Sequence, residues 1–227
     1  FLVSTPDTET PFDVQRPVKR VALLVFSSNS SLCGGFNANV IKLMQQAIDE
    51  YHSRGLTDKD ITIYPVGRKV AEAAKKRGYT CVCPYPNLAD KPNSEECRNI
   101  AKELGQKWLD GEYDKVEIIY HHFKSAGSQS KNFLPIDLEE ELSANTERDL
   151  SSDLTTKAAQ DYLKKKGKTA EQKTGNETVV PLNDDFIVEP DLQTVLRALV
   201  PKLLHHMVFT ALLDSNASEH AARMVAM

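Results

Sequence analysis

Apolar residues along this chain fall first in short unbroken runs and then in one long helical stripe. Val18–Phe26 is apolar and β-branched and predicts a buried strand. A polar, Gly-containing turn follows over Ser27–Gly35. Asn37–His52 then carries Val40, Ile41, Met44, Ala47, Ile48 and Tyr51 at helical spacing, with Gly55 as a stop. Ile61–Val66 predicts a second strand, Arg68–Arg77 a short helix and Tyr79–Cys83 a third strand. Ser94 is placed to cap a helix running to Leu109, Val116–Phe123 reads as a fourth strand, and Phe133–Leu138 and Asp185–Val188 as shorter ones.

Strand and helix alternate through this order, which predicts an α/β fold. A mostly parallel, Rossmann-like sheet carries helices on both faces, and right-handed crossovers set its layers. Residues 1–17 are punctuated by Pro6, Pro11 and Pro17 and read as an irregular lead-in. Residues 18–138 and 179–189 form the globular domain. Residues 139–178 are polar, opening on Glu139-Glu140-Glu141 and holding Lys164-Lys165-Lys166, and read as a solvated insertion.

Residues 190–227 form a long C-terminal helix. Pro190 suits its first turn, where a missing N–H does no harm, and Pro201 is expected to kink or break it. Beyond Pro201 a seam of Leu204, Val208, Ala211, Ser215, Ser218, Ala222 and Val225 steps by four and three in turn. That is the coiled-coil period, which keeps one stripe facing a partner helix. From Ala217 to Met227 there is no Gly, Asn or Pro to stop the helix, so it is read as truncated at Met227. The lack of an initiator Met is likewise read as processing or a fragment.

Composition narrows the class. The 227 residues are 41% hydrophobic and 26% charged, as in soluble globular domains. A net charge of −4 argues against a general nucleic-acid binder. No apolar run reaches the length of a membrane span, so direct membrane insertion is not expected, and no signal-peptide pattern opens the chain. Four cysteines are too sparse for a disulfide scaffold and favour a reducing compartment. Cys81, Cys83 and Cys97 lack a fourth ligand at zinc-like spacing, and no metal site is expected.

Enzyme chemistry would look first to the turn Ser27–Asn37, where a dinucleotide fold places its phosphate loop. Neither G-x-G-x-x-G nor a P-loop is present, and no cofactor is expected. Cys33, near a helix N-terminus, could act as a nucleophile given a base among His121, His122, His205, His206 or His220. No spacing marks any of them. Gly34-Gly35 has a simpler reading as a tight strand-to-helix turn.

Two stretches resemble a known family. Arg16–Phe26 leads into Ser31-Leu32-Cys33-Gly34-Gly35-Phe36-Asn37-Ala38-Asn39. Glu189-Pro190 leads through Pro201 and Ala211-Leu212-Leu213 to Ala217-Ser218-Glu219-His220-Ala221-Ala222-Arg223-Met224-Val225-Ala226-Met227. Both are similar to the γ subunit of F-type ATP synthases, and Gly67-Arg68-Lys69 resembles that family's turn after the second strand. The likeness covers most of residues 16–138 and 181–227. Family members begin with a long helix not found in these residues, and their last helix continues further. Residues 139–178 are longer than the usual connection, and the regulatory cysteine pair of the chloroplast form has no counterpart.

The resemblance implies a non-catalytic rotor subunit that couples ion-driven rotation to ATP synthesis or hydrolysis in the β subunits. Its partners would be the α and β subunits of the head, the ε subunit, the c-subunit ring and the chain's own N-terminal helix, which would pair with the seam. Glu219 and Arg223, with Asp214 and Asn216, are expected to point outward, the first two towards a β-subunit loop. The complex would sit on the cytoplasmic face of a bacterial inner membrane. The competing readings are a free-standing Rossmann-like enzyme using Cys33, and an interaction domain of another assembly.

Overall fold

The computed structural model describes residues 11–82, 85–124, 127–137, 140, 141 and 192–227, with side chains of the last segment described from residue 198. The chain divides into two units. In one, made of Phe1–Thr8 and Leu138–Val195, the described residues are helical. The other, Glu9–Asp137 with Leu196–Met227, holds the sheet. Cys83, most of the polar insertion, Pro190 and the strand expected at Asp185–Val188 lie outside the described residues.

Strand β1 (Val21–Phe26) is buried at all six positions, as expected for a strand covered on both faces. It pairs in parallel with β2 (Ile61–Val66) on one side and β4 (Lys115–His122) on the other. Strand β3 (Thr80–Cys81) extends the parallel set beyond β2. Strand β5 (Gly127–Leu134) pairs antiparallel with β4, giving the order β3-β2-β1-β4-β5.

Helices α1 (Phe36–Ser53) and α2 (Arg68–Lys76) cover one face. Val40, Met44, Ile48, Val70 and Ala74 form a cluster there with Val21, Leu23, Val25 and Ile63. Alternation along β1 sends Ala22, Leu24 and Phe26 to the other face. The crossover into β4 runs the opposite way along the sheet, so its helix α4 (Ser94–Leu109) belongs on that second face. Helix α5 (Leu192–Ala226) packs beside α4, where a side chain on Gly105 would meet Leu204.

The structure changes several expectations. The fifth strand spans Gly127–Leu134 instead of Phe133–Leu138. Its sequence, Gly-Ser-Gln-Ser-Lys-Asn-Phe-Leu, has no alternation to reveal it, because an antiparallel outer strand can carry exposed polar side chains. A short helix α3 (Pro86–Asp90) stands between β3 and α4. The cap of α4 is Asn93, whose Oδ1 accepts from the N–H groups of Glu95 at 2.9 Å and Glu96 at 3.2 Å; Ser94 is already in the helix. Helix α5 runs through Pro201 unbroken. Proline removes a single N–H donor, and the packed turn beyond it, with Leu203, Leu204, Met207 and Val208 buried, offsets that loss.

Candidate functional site

In an open α/β sheet a ligand binds beyond the carboxyl ends of the strands, where the strand order switches direction. Here that point lies between β1 and β4. The turn leaving β1 faces it from one side and the end of β4 from the other.

The turn is committed to the fold. Ser27 Oγ accepts the Val70 N–H at 3.0 Å, the Ser28 carbonyl accepts the Lys69 N–H at 3.1 Å, and Asn29 Oδ1 accepts the Arg68 N–H at 2.7 Å. These are the first amide groups of α2, which lack partners within the helix. The end at which a helix would take an anion is thus capped by the chain itself. Asn29 also donates from Nδ2 to the Pro86 carbonyl at 2.6 Å and to Asp90 Oδ2 at 2.7 Å, tying in α3. Gly67 makes the approach possible: its φ is +106°, and a Cβ there would lie 2.4 Å from the Ser27 carbonyl oxygen.

Cys33 is fully buried in the same turn. Its sulfur lies 3.2 Å from Asn37 Nδ2, 3.4 Å from Ser28 Oγ and 3.4 Å from the Ser30 carbonyl. Asn37 Nδ2 also donates to Ser28 Oγ at 2.9 Å and to the Ser30 carbonyl at 2.8 Å. This network holds the loop shape and places no base beside the thiol. Of the suggested bases, His121 Nε2 donates to the Phe36 carbonyl at 2.8 Å, and its ring stacks on Phe36 with centroids 4.2 Å apart. His205 Nε2 lies 2.9 Å from the Ser94 carbonyl, on the far part of α5. Burial lowers the His121 pKa, outweighing the Phe36 contact, so the ring is held neutral.

The cysteines do not converge. Cys97 is buried in α4, where desolvation, assisted by Glu96, pushes its thiol up to about 12. Cys81 is exposed on β3. Among the described residues no group of three His, Cys, Asp or Glu side chains could hold a metal ion.

The mouth of the sheet is filled by α5. Pairing between β1 and β4 ends at Val25 opposite Ile119, and β4 continues to His122. The His121 N–H, beyond the reach of β1, donates to Ser215 Oγ at 3.2 Å. Both residues are about 5% exposed or less. One position on, His122 Nε2 stands 3.9 Å from Asp214 Oδ2. A shallow groove remains above, between Gly34, Gly35 and Phe36 on one wall and Ser218, Ala222 and Val225 on the other.

The seam therefore divides in two. Leu204, Val208, Ala211 and Ser215 are buried within this chain, Leu204 beside Gly105 of α4 and Ser215 on the end of β4. Ser218 and Ala222 border the groove, and Val225 is 88% exposed. Periodicity marks a face, and from Leu204 to Ser215 this chain itself buries it.

A second stripe lies roughly 170° around the helix from the first, on the opposite face. His206, Phe209, Leu213, Asn216, His220, Met224 and Met227 repeat at heptad-like spacing, and every one is exposed or half-exposed. Leu213 is 44% exposed and Met224 77%. The residues expected to point outward also need correction. Asp214 turns to His122, and Glu219 is 5% exposed and paired with Arg223 one turn on. Of that pair, Arg223 keeps the greater access to solvent, at 38% of its side chain.

Sequence reasoning missed Ser28, Asn29 and Asn37 as a capping network, and Ser215 with His121 as a joint. One signal was available for the second: Ser215 follows Leu204, Val208 and Ala211 on the buried face, and buried polar groups are usually hydrogen-bonded.

A sequence model of the family described as ATP synthase matches residues 2–227. The ATP synthase gamma chain of Phocaeicola vulgatus is 41% identical across this whole chain, which spans 68% of that protein. That of Bacteroides fragilis is 43% identical at the same coverage of both. The gamma chain of Thermosynechococcus vestitus is 35% identical over 97% of this chain and 67% of its own length. Among solved structures, the central stalk and c-ring of Tetrahymena thermophila mitochondrial ATP synthase includes a chain matched with a TM-score of 0.56. The match covers 94% of this chain and 77% of that one at 20% identity, a likeness of fold.

Proposed function

This chain belongs to the ATP synthase family, among its γ chains, and we propose that it is the rotor that couples ion-driven rotation to nucleotide chemistry in the β subunits. It performs no bond chemistry itself. The observation that carries this reading is the two-faced α5. One face is riveted to the globular unit at Leu204, Val208, Ala211 and Ser215, and the opposite face presents Phe209, Leu213 and Met224. A helix of 35 residues is about 52 Å long at 1.5 Å per residue, enough to reach well beyond the sheet.

Residues 190–227 act as part of a shaft, residues 18–138 with 179–189 as its seat, and residues 139–178 as an insertion. The helix that precedes this region in γ chains pairs with the uncovered stripe in an antiparallel coiled coil. The α and β subunits surround that shaft, and the ε subunit and c-ring meet the globular seat on the cytoplasmic face of a bacterial inner membrane. Arg223, held by Glu219, is the residue offered to a β-subunit loop. A polar contact suits a rotor, because each angular state has to remain escapable.

The rival reading, a Cys33 nucleophile, finds its thiol buried among Ser28, Ser30 and Asn37. Reconstitution of the full-length chain with α and β subunits tests the proposal. A gain of coupled ATPase activity is expected, and assembly without that gain would contradict it.

A further inference from the structure

The contact between α5 and the end of β4 does more than fill a gap. Where the β1 ladder ends, the His121 N–H would continue a sheet, and the Ser215 hydroxyl stands in for the missing strand. That substitution needs a small side chain with an acceptor, on a helix close enough to touch the sheet edge. Helix α5 supplies it at one register. One turn either way would bring Ala211, which has no acceptor, or Glu219. A rotation by one residue would bring Asp214 or Asn216. The adjacent pair lies at the same register on the rim, with His122 Nε2 3.9 Å from Asp214 Oδ2 and both side chains about a quarter exposed.

We infer that Asp214 and Ser215, clasped by His121 and His122, form the joint that sets the angular position of α5 on the sheet. They are positioning residues through which torque passes between shaft and seat. The inference rests on the rotor reading and adds to it where a twisting load would be borne. A load carried by apolar contacts alone would meet little directional resistance, because burial is non-directional. A buried N–H and its single acceptor resist both sliding and rotation, because displacing them leaves the donor unpaired.

The test uses the assembled complex carrying the full-length chain in membrane vesicles. ATP hydrolysis and ATP-driven proton pumping are measured on the same preparation, with amide exchange followed at His121. Ser215→Ala is expected to speed His121 exchange about tenfold, the effect of losing one buried hydrogen bond. Hydrolysis continues while protons pumped per ATP fall. The double variant Asp214→Asn with His122→Gln, at partly exposed sites, is expected to lower the pumping ratio in the same direction. Should Ser215→Ala fail to assemble, the double variant decides alone. Faster exchange with a native pumping ratio, or a native ratio in the double variant, overturns the inference. Failure of the rotor reading looks different: the unsubstituted complex would hydrolyse ATP without pumping.

Discussion

A methyl group on Gly67 would lie 2.4 Å from the carbonyl oxygen of Ser27. The first residues after the first and second strands are pressed together closely enough that no side chain fits. The contact brings Ser27, Ser28 and Asn29 onto the exposed end of α2. Gly67→Ala meets both the clash and a φ of +106°, and is expected to destabilise the fold by about 2–4 kcal/mol. Urea unfolding measures it; a loss under about 1 kcal/mol would mean that the turn relaxes freely.

The two faces of α5 separate in a mutational scan. Leu204→Ala and Val208→Ala remove buried side chains and are expected to cost about 2–4 kcal/mol each, the valine at the lower end. Leu213→Ala and His206→Ala lie on the uncovered stripe and should change the stability of this chain by about 0.5 kcal/mol or less. In the full-length chain Leu213→Asp should weaken packing against a partner helix. Equal losses on both faces of this chain would refute the division.

Acid should loosen the same region. Burial depresses the His121 pKa below its ordinary 6.5. The neutral ring therefore stabilises the fold fully above that value, and the contribution fades as pH falls through the depressed one. Melting temperatures between about pH 5 and pH 8 should fall more steeply on the acid side for the native chain than for His121→Gln, which keeps a donor without titrating. Parallel curves would show that His121 does not carry the effect.

Thiol labelling should be ordered by burial. With Cys83 replaced by Ser, Cys81 is expected to react first in the native state. Cys97, raised to about 12 by its apolar surroundings, and the fully buried Cys33 should stay protected until the chain unfolds. Native-state labelling of Cys33 ahead of Cys81 would revive the nucleophile reading.

How far the sequence carried these conclusions depends on what each element buries. Val21–Phe26 announces itself because all six side chains are covered. Phe36–Ser53 does so through the spacing of Val40, Met44, Ala47 and Ile48. Gly127–Leu134 stays silent because most of its side chains reach water and its pairing is supplied by the backbone of β4. The stripe from Leu204 to Ser215 is legible as a buried face, but a heptad is the same whether it meets a partner or the chain's own sheet. The second stripe was hidden because His206, Asn216 and His220 interrupt its apolar members. The Ser215–His121 joint is made by the tertiary fold, and nothing in either local sequence names the other.

The most direct measurement of the central claim uses the exposed Cys81 as a handle. With Cys83 replaced by Ser, a bead is attached at Cys81 of the full-length chain in a complex whose head is fixed to a surface. ATP is then added. The rotor account predicts continued unidirectional rotation of the bead, in steps, for as long as ATP is hydrolysed. A bead that stays still while the complex hydrolyses ATP would contradict it.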